Sequence, residues 1–77
     1  MTSIREAFSQ RLKSARISKN YTQKDMAERL GTTQGAYQKW ESGGREPNLE
    51  TIVKLAKILD TSTDVLLGIT TNEDEIK

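Results

Sequence analysis

The punctuation of this chain constrains its fold more than any other feature. Five times in 77 residues, at Ser3, Thr22, Thr33, Asn48 and Ser62, a small polar residue suited to capping a helix N-terminus stands before a short run with apolar residues at helical spacing. Two of these starts are capping boxes, in which an acid three residues on (Glu6 after Ser3, Asp25 after Thr22) returns a hydrogen bond to the cap backbone. Nothing alternates with the period of a strand, and there are no internal repeats or low-complexity stretches. The spacing therefore predicts an all-α chain, a compact bundle of five short helices. The first covers 3–19 on Ile4, Ala7, Phe8, Leu12 and Ala15, with Asn20 able to take the left-handed conformation that ends it. The second covers about 22–30 on Met26, Ala27 and Leu30, and the third about 33–42. The fourth runs from its cap Asn48 to about Leu59 on Leu49, Ile52, Val53, Leu55, Ala56 and Leu59, and the fifth from Ser62 to Gly68. Gly43, Gly44 and Pro47 break the chain before the fourth helix.

A chain this short buries roughly 60–65% of its unfolded surface, too little for a large enclosed active site. Cysteine and histidine are both absent, which removes disulfides, thiolate nucleophiles, the usual zinc ligands and the commonest general base. The remaining carboxylates are scattered over solvent faces with no nucleophile beside a base, so an enzyme is not expected, nor is a metal or cofactor. No apolar run reaches the roughly 18–20 residues of a membrane span, and the first residues lack a signal-peptide layout; a cytoplasmic protein is expected. The net charge of +1 hides an asymmetry. Residues 1–59 carry 11 Lys/Arg against 6 Asp/Glu, whereas residues 60–77 carry 1 against 5. The basic body suits a polyanion partner, although a solvated mixed-charge surface has the same composition. The division expected is a folded unit over 1–69 and, over 70–77, an acidic tail or the start of a linker.

Within "TQKDMAERLGTTQGAYQKWESGG", Gln23, Ala27 and Gly31 fall at intervals of four, and a new helix start follows at once. Two helices joined by a turn of three or four residues cross steeply only if their backbones approach at the elbow. Ala27 supplies a minimal side chain there, and Gly31 tolerates a positive φ. The spacing thus builds a helix-turn-helix, whose second helix places Ala36, Tyr37 and Trp40 on one side and Gln34, Gly35, Gln38 and Lys39 on the other.

These residues resemble the helix-turn-helix of the lambdoid phage repressor and Cro family, within the wider group of XRE-type bacterial and phage regulators. The resemblance rests on Gln23, Ala27, Gly31, the "GTTQ" lead-in to the third helix, the anchors Tyr37 and Trp40, the ending "WESGGREP" and the last two helices; residues 4–69 match in order and spacing. It implies a lambda-repressor-like domain with the third helix in the major groove of double-stranded DNA. It implies that Gln34 reads an adenine edge through its amide and that Lys39 meets a guanine or a phosphate, with Thr33 and Gln38 beside them. It further implies phosphate contacts from Gln23, Ser42, Arg45 and Arg16, and an ion pair of Arg16 with Glu41 that ties the first helix to the end of the third. Gly35 departs from the pattern, because close phage relatives place a second glutamine there.

Each residue also has a plainer role. Tyr37 and Trp40 at a spacing of three are core anchors before they are base-stacking platforms, Gln34 and Gln38 alone are solvated helix positions, and Arg16 with Glu41 is first a structural tie. The function expected is a sequence-specific transcriptional regulator, a repressor acting as a homodimer on a palindromic operator and associated with the nucleoid when DNA-bound. The alternative is a protein-interaction module on the same fold, antitoxin-like or regulatory. Val65, Leu66, Leu67 and Ile69 suggest a dimer surface on or after the fifth helix, and a missing C-terminal regulatory portion is compatible with the length.

Overall fold

A computed structural model describes residues 3–69. Among these residues the elements are α1 (Ile4–Ser18), α2 (Gln23–Leu30), α3 (Gln34–Ser42), α4 (Leu49–Ile58) and α5 (Thr63–Leu67), with no strand. The acidic run expected over 70–77 lies outside the described residues.

Every helix starts where a side-chain oxygen meets an orphaned backbone N–H. The hydroxyls of Ser3, Thr22, Thr33 and Ser62 and the amide oxygen of Asn48 accept from the N–H three residues on, at 2.8–3.1 Å. The Ser3–Glu6 and Thr22–Asp25 boxes are reciprocal. Helix ends are equally local. The first, second, fourth and fifth close on Asn20, Gly31, Asp60 and Gly68, all at positive φ, with paired hydrogen bonds such as Thr32 N–H to the Ala27 carbonyl (3.0 Å) and Gly31 N–H to the Glu28 carbonyl (3.3 Å).

Around one core, α1 packs on α5 and α3, α2 on α3 and α4, and α4 on α5. The core comprises Phe8, Leu12, Met26, Ala27, Tyr37, Leu55, Ala56, Leu59 and Leu66, and each large side chain removed from water there contributes about 1.5–3 kcal/mol.

Three sequence expectations are corrected. Ile4 is 66% exposed, because the inward face of α1 is turned away from it and holds Phe8, Ser9, Leu12 and half-buried Arg16. Leu49 and Val53 are 81% and 45% exposed. The buried stripe of α4 is Leu55, Ala56 and Leu59, and Val53 lies about 115° from its centre at 100° per residue. The apolar surplus of α5 is largely spent on the fold itself: Leu66 is fully buried, Val65 and Leu67 are half-buried, and only Ile69 lies in solvent.

Candidate nucleic-acid interface

The elbow between α2 and α3 follows from three residues. Gly31 takes the left-handed conformation (φ 70°), Ala27 is buried, and Thr33 caps α3 two residues later. At the front of α2, hydrogen bonds from the backbone and hydroxyl of Thr22 hold the Asp25 carboxyl below the ordinary carboxylate range. The anion at this first turn also suits the helix dipole.

Helix α3 divides cleanly. Tyr37 is fully buried, and Trp40 packs against it edge to face, with ring centroids 5.8 Å apart and planes at 71°. Thr33, Gln34, Gly35, Gln38 and Lys39 are exposed, and the side chains of Gln34, Gln38 and Lys39 make no hydrogen bond among the described residues. A Cβ placed on Gly35 would meet nothing within 4 Å. No backbone crowding therefore demands a glycine there.

Two concavities flank this helix. On the α4 side a cleft of about 530 Å³ is bordered by Gly35, Lys39, Trp40, Arg45, Asn48 and Thr51. On the other side a shallower depression of about 180 Å³ lies between Lys13, Gln23, Gln38, Glu41 and Ser42. Each concavity carries at least one exposed cation: Lys39 and Arg45 on one side, beside the carboxylate Glu46, and Lys13 on the other, where the carboxylate Glu41 is paired with Arg16. The amide face thus stands as a ridge between two basic-edged hollows.

A carboxylate holds the ridge in place. Glu41, whose side chain is 3% exposed, accepts from Arg16 Nε at 2.6 Å and Nη2 at 3.2 Å, from Tyr37 Oη at 2.5 Å and from Gln23 Nε2 at 3.1 Å. It joins α1, α2 and α3. Burial alone would raise the Glu41 carboxyl, but the hydrogen bonds from Arg16, Tyr37 and Gln23 together outweigh it and leave the pKa lowered. The hydrogen bond with Glu41 raises Arg16 further into its cationic range. Tyr37 is pushed well above the ordinary phenol value by burial and by its bond to Glu41.

The structure brings Thr33, Gln34, Gln38 and Lys39 onto one strip, with Gln23 and Ser42 at one flank and Arg45 at the other. It does not add Arg16 to that exposed set. The Arg16 side chain is 13% exposed, its Nε and Nη2 are spent on Glu41, and its Nη1 donates to the Tyr21 carbonyl at 2.8 Å. Gln23, expected at a phosphate, has its amide on Glu41, and the Ser42 hydroxyl donates to the Lys39 carbonyl at 3.2 Å. Sequence reasoning missed the bond from the Tyr37 hydroxyl to Glu41, the position of Lys13 beside the ridge, and Ser9, which is 5% exposed and donates to the Trp40 carbonyl at 2.8 Å. For Ser9 the available signal was its place about 60° from Leu12 on the helical wheel of α1, on the side away from Phe8.

Two packed helices joined by a short turn, with an exposed polar face on the second, define a helix-turn-helix protein. A helix-turn-helix family model matches residues 12–66, and the chain belongs to that family. Its relatives include the SPbeta prophage-derived HTH-type transcriptional regulator YonR of Bacillus subtilis (strain 168), 52% identical over 60 residues, covering 78% of this chain and 56% of that protein. The HTH-type transcriptional regulator YqaE of the same strain is 46% identical over 66 residues, covering 86% of this chain and 57% of its own. The cryptic phage CTXphi transcriptional repressor RstR of Vibrio cholerae is 41% identical over 59 residues, covering 77% of this chain and 53% of its own. The chain spans about half the length of these curated relatives. No solved structure matches it significantly.

Proposed function

We propose that this chain is a sequence-specific DNA-binding unit of a transcriptional regulator, which seats α3 in the major groove of duplex DNA. The observation that carries the proposal is the ridge: an exposed amide-rich helix face between two hollows with cationic borders. A major groove about 12 Å wide admits one helix and is bounded on both sides by phosphate strands, which is the counterpart of that shape. Gln34 is the reader of an adenine edge and Lys39 of a guanine or phosphate, with Thr33 and Gln38 beside them. Lys13, Arg45, Ser42 and the backbone at Gln23 face the phosphates, which position the helix without reading sequence. Arg16 and Glu41 act on the DNA only by holding α3. The unit works in the cytoplasm and catalyses nothing.

The mode proposed is repression from a palindromic operator by a homodimer, with the two α3 helices about 34 Å apart. The repressing sign draws support from the relative named as a phage repressor. Support for the dimer comes from an apolar groove of about 360 Å³ lined by Ile4, Phe8, Leu49, Ile52 and Leu67. Leu49, 81% exposed, projects at its border, and a knob beside its own hole is what a two-fold contact between copies requires.

Selection from a random duplex library, followed by titration of the winner at several salt concentrations, tests the proposal. An enriched palindrome bound with a steep negative salt slope is the expected result, and a single enriched half-site would remove the dimer but keep the rest. No enrichment, or binding indifferent to salt, would refute DNA reading and favour the alternative, a module that binds a protein partner.

A further inference from the structure

We infer that Ser9 is a positioning residue for sequence reading: its hydroxyl holds the Trp40 carbonyl and so sets the angle at which α3 is presented. The inference rests on the DNA-binding proposal for its function and on helix-end geometry for its chemistry. Four of the five helices close their ends with a backbone bond that spans three residues. The carbonyls of Ile17, Glu28, Lys57 and Val65 each receive the N–H three residues on, at 3.0–3.3 Å. In α3 the equivalent carbonyl is that of Trp40, and it receives no such bond. The N–H groups of Gly43, Gly44 and Arg45 all turn instead to the carbonyl of Lys39. Trp40 is left with an orphaned acceptor at a half-buried site, and the Ser9 hydroxyl, 2.8 Å away, supplies the donor from another helix.

Ser9 has a second acceptor, the Arg5 carbonyl at 2.9 Å, but that group lies inside α1 and already takes a helical N–H. The single hydroxyl proton therefore matters most at Trp40. Arg16 stands seven residues further along α1, on the same face, and grips the next residue of α3, Glu41. Two pins about 10.5 Å apart on one helix, acting on consecutive residues of another, fix both the tilt and the rotation of the second. The base-reading half of α3, around Gln34, packs on α2 but has no side-chain hydrogen bond beyond its own cap Thr33, so the polar ties that aim it are those pins.

The full chain is used for the test. Ser9→Ala and Ser9→Cys, the latter keeping the volume with a weak donor, are titrated against the duplex selected by the unaltered chain and against copies changed at single base pairs. Salt slopes are measured in parallel. Amide pairing to a base edge tolerates little misalignment, whereas long cationic side chains follow a displaced phosphate. The expected result is a loss of about fivefold or more in the ratio of cognate to altered-site affinity, with the salt slope unchanged. Equal loss on every duplex, or no loss, overturns the inference, because a merely structural defect lowers the folded fraction and leaves the ratio alone. If the unaltered chain selects no duplex, the DNA-binding proposal fails instead, and the pin is read without DNA from residual dipolar couplings. Couplings of Ser9→Ala that keep α1 and α3 in their original relative orientation overturn it; a reoriented α3 supports it.

Discussion

Replacing Glu41 by glutamine removes one charge and almost no volume from a site where three helices meet. In the folded chain that carboxylate accepts two hydrogen bonds from Arg16, one from Tyr37 and one from Gln23, and its side chain is only 3% exposed. The glutamine keeps one acceptor oxygen and turns an NH₂ group toward donors. Arg16, 13% exposed, is then a cation without its counter-ion. Breaking one side of a buried pair costs about 3–5 kcal/mol, and the surviving oxygen places Glu41→Gln near the lower figure. With roughly 4–8 °C of Tm per kcal/mol in a domain of this size, thermal unfolding followed by circular dichroism is expected about 12 °C or more lower.

The pH dependence supplies an independent sign. The folded pKa of Glu41 is depressed, so the unfolded chain takes up a proton first as pH falls. The contribution of Glu41 is fully present above the ordinary carboxylate range and is lost as pH drops through the folded value. Glu41→Gln is therefore expected to lose less stability between about pH 5 and pH 3 than the unaltered chain. A destabilisation under about 1 kcal/mol at pH 7, together with an unchanged acid slope, would refute the assignment of Glu41 as the tie.

Three further outcomes are expected. Tyr37→Phe removes one donor to Glu41 while keeping the buried ring, and should lower the unfolding free energy in urea by about 1.5–3 kcal/mol. Gly35→Ala should raise it by about 0.5–1 kcal/mol, because the position is helical and exposed and a Cβ meets nothing there; destabilisation would mean the glycine answers a packing demand. On the selected duplex, Gln34→Ala should cost about 1–3 kcal/mol and relax one base position, whereas Lys13→Ala should weaken all sequences alike and reduce the salt slope by about one. Specificity profiles that change in the same way for both variants would contradict the division between base-reading and phosphate-facing residues.

What could be read in the sequence was what is encoded within a few residues of itself. The Ser3 and Thr22 boxes, the Thr33, Asn48 and Ser62 caps and the left-handed Gly31 close hydrogen bonds over three to five positions, so spacing alone located all five helices to within a residue or two. Periodicity was weaker, because an apolar stripe says which face is greasy but not how far the neighbouring helix extends. Leu49, at the first position of α4, lies near its stripe by angle yet overhangs the core at its edge, and Ile4, at the first position of α1, is turned off the inward face. The polar residues of α1 were the least legible. Ser9 looks like a solvent position until α3 is docked, because its partner, the Trp40 carbonyl, is 31 residues away in the chain, whereas the tie of Arg16 to Glu41 was expected only from the resemblance and is present at 2.6 Å.

That placement has a consequence for how such a domain changes what it recognises. The ties that hold α3 run from its buried side and its C-terminal half, through Tyr37, Trp40 and Glu41, whereas Gln34, Gly35, Gln38 and Lys39 project outward without a partner in the fold. Exposed helix positions without special contacts usually tolerate substitution within about 0.5 kcal/mol, the glycine excepted. The outward set can therefore be exchanged with little effect on the scaffold. A change at Ser9, Arg16 or Glu41 is instead expected, on the proposed function, to move the whole outward face at once. Altered specificity confined to one base pair should therefore trace to the outward set, and altered specificity spread across a half-site to the pins behind it.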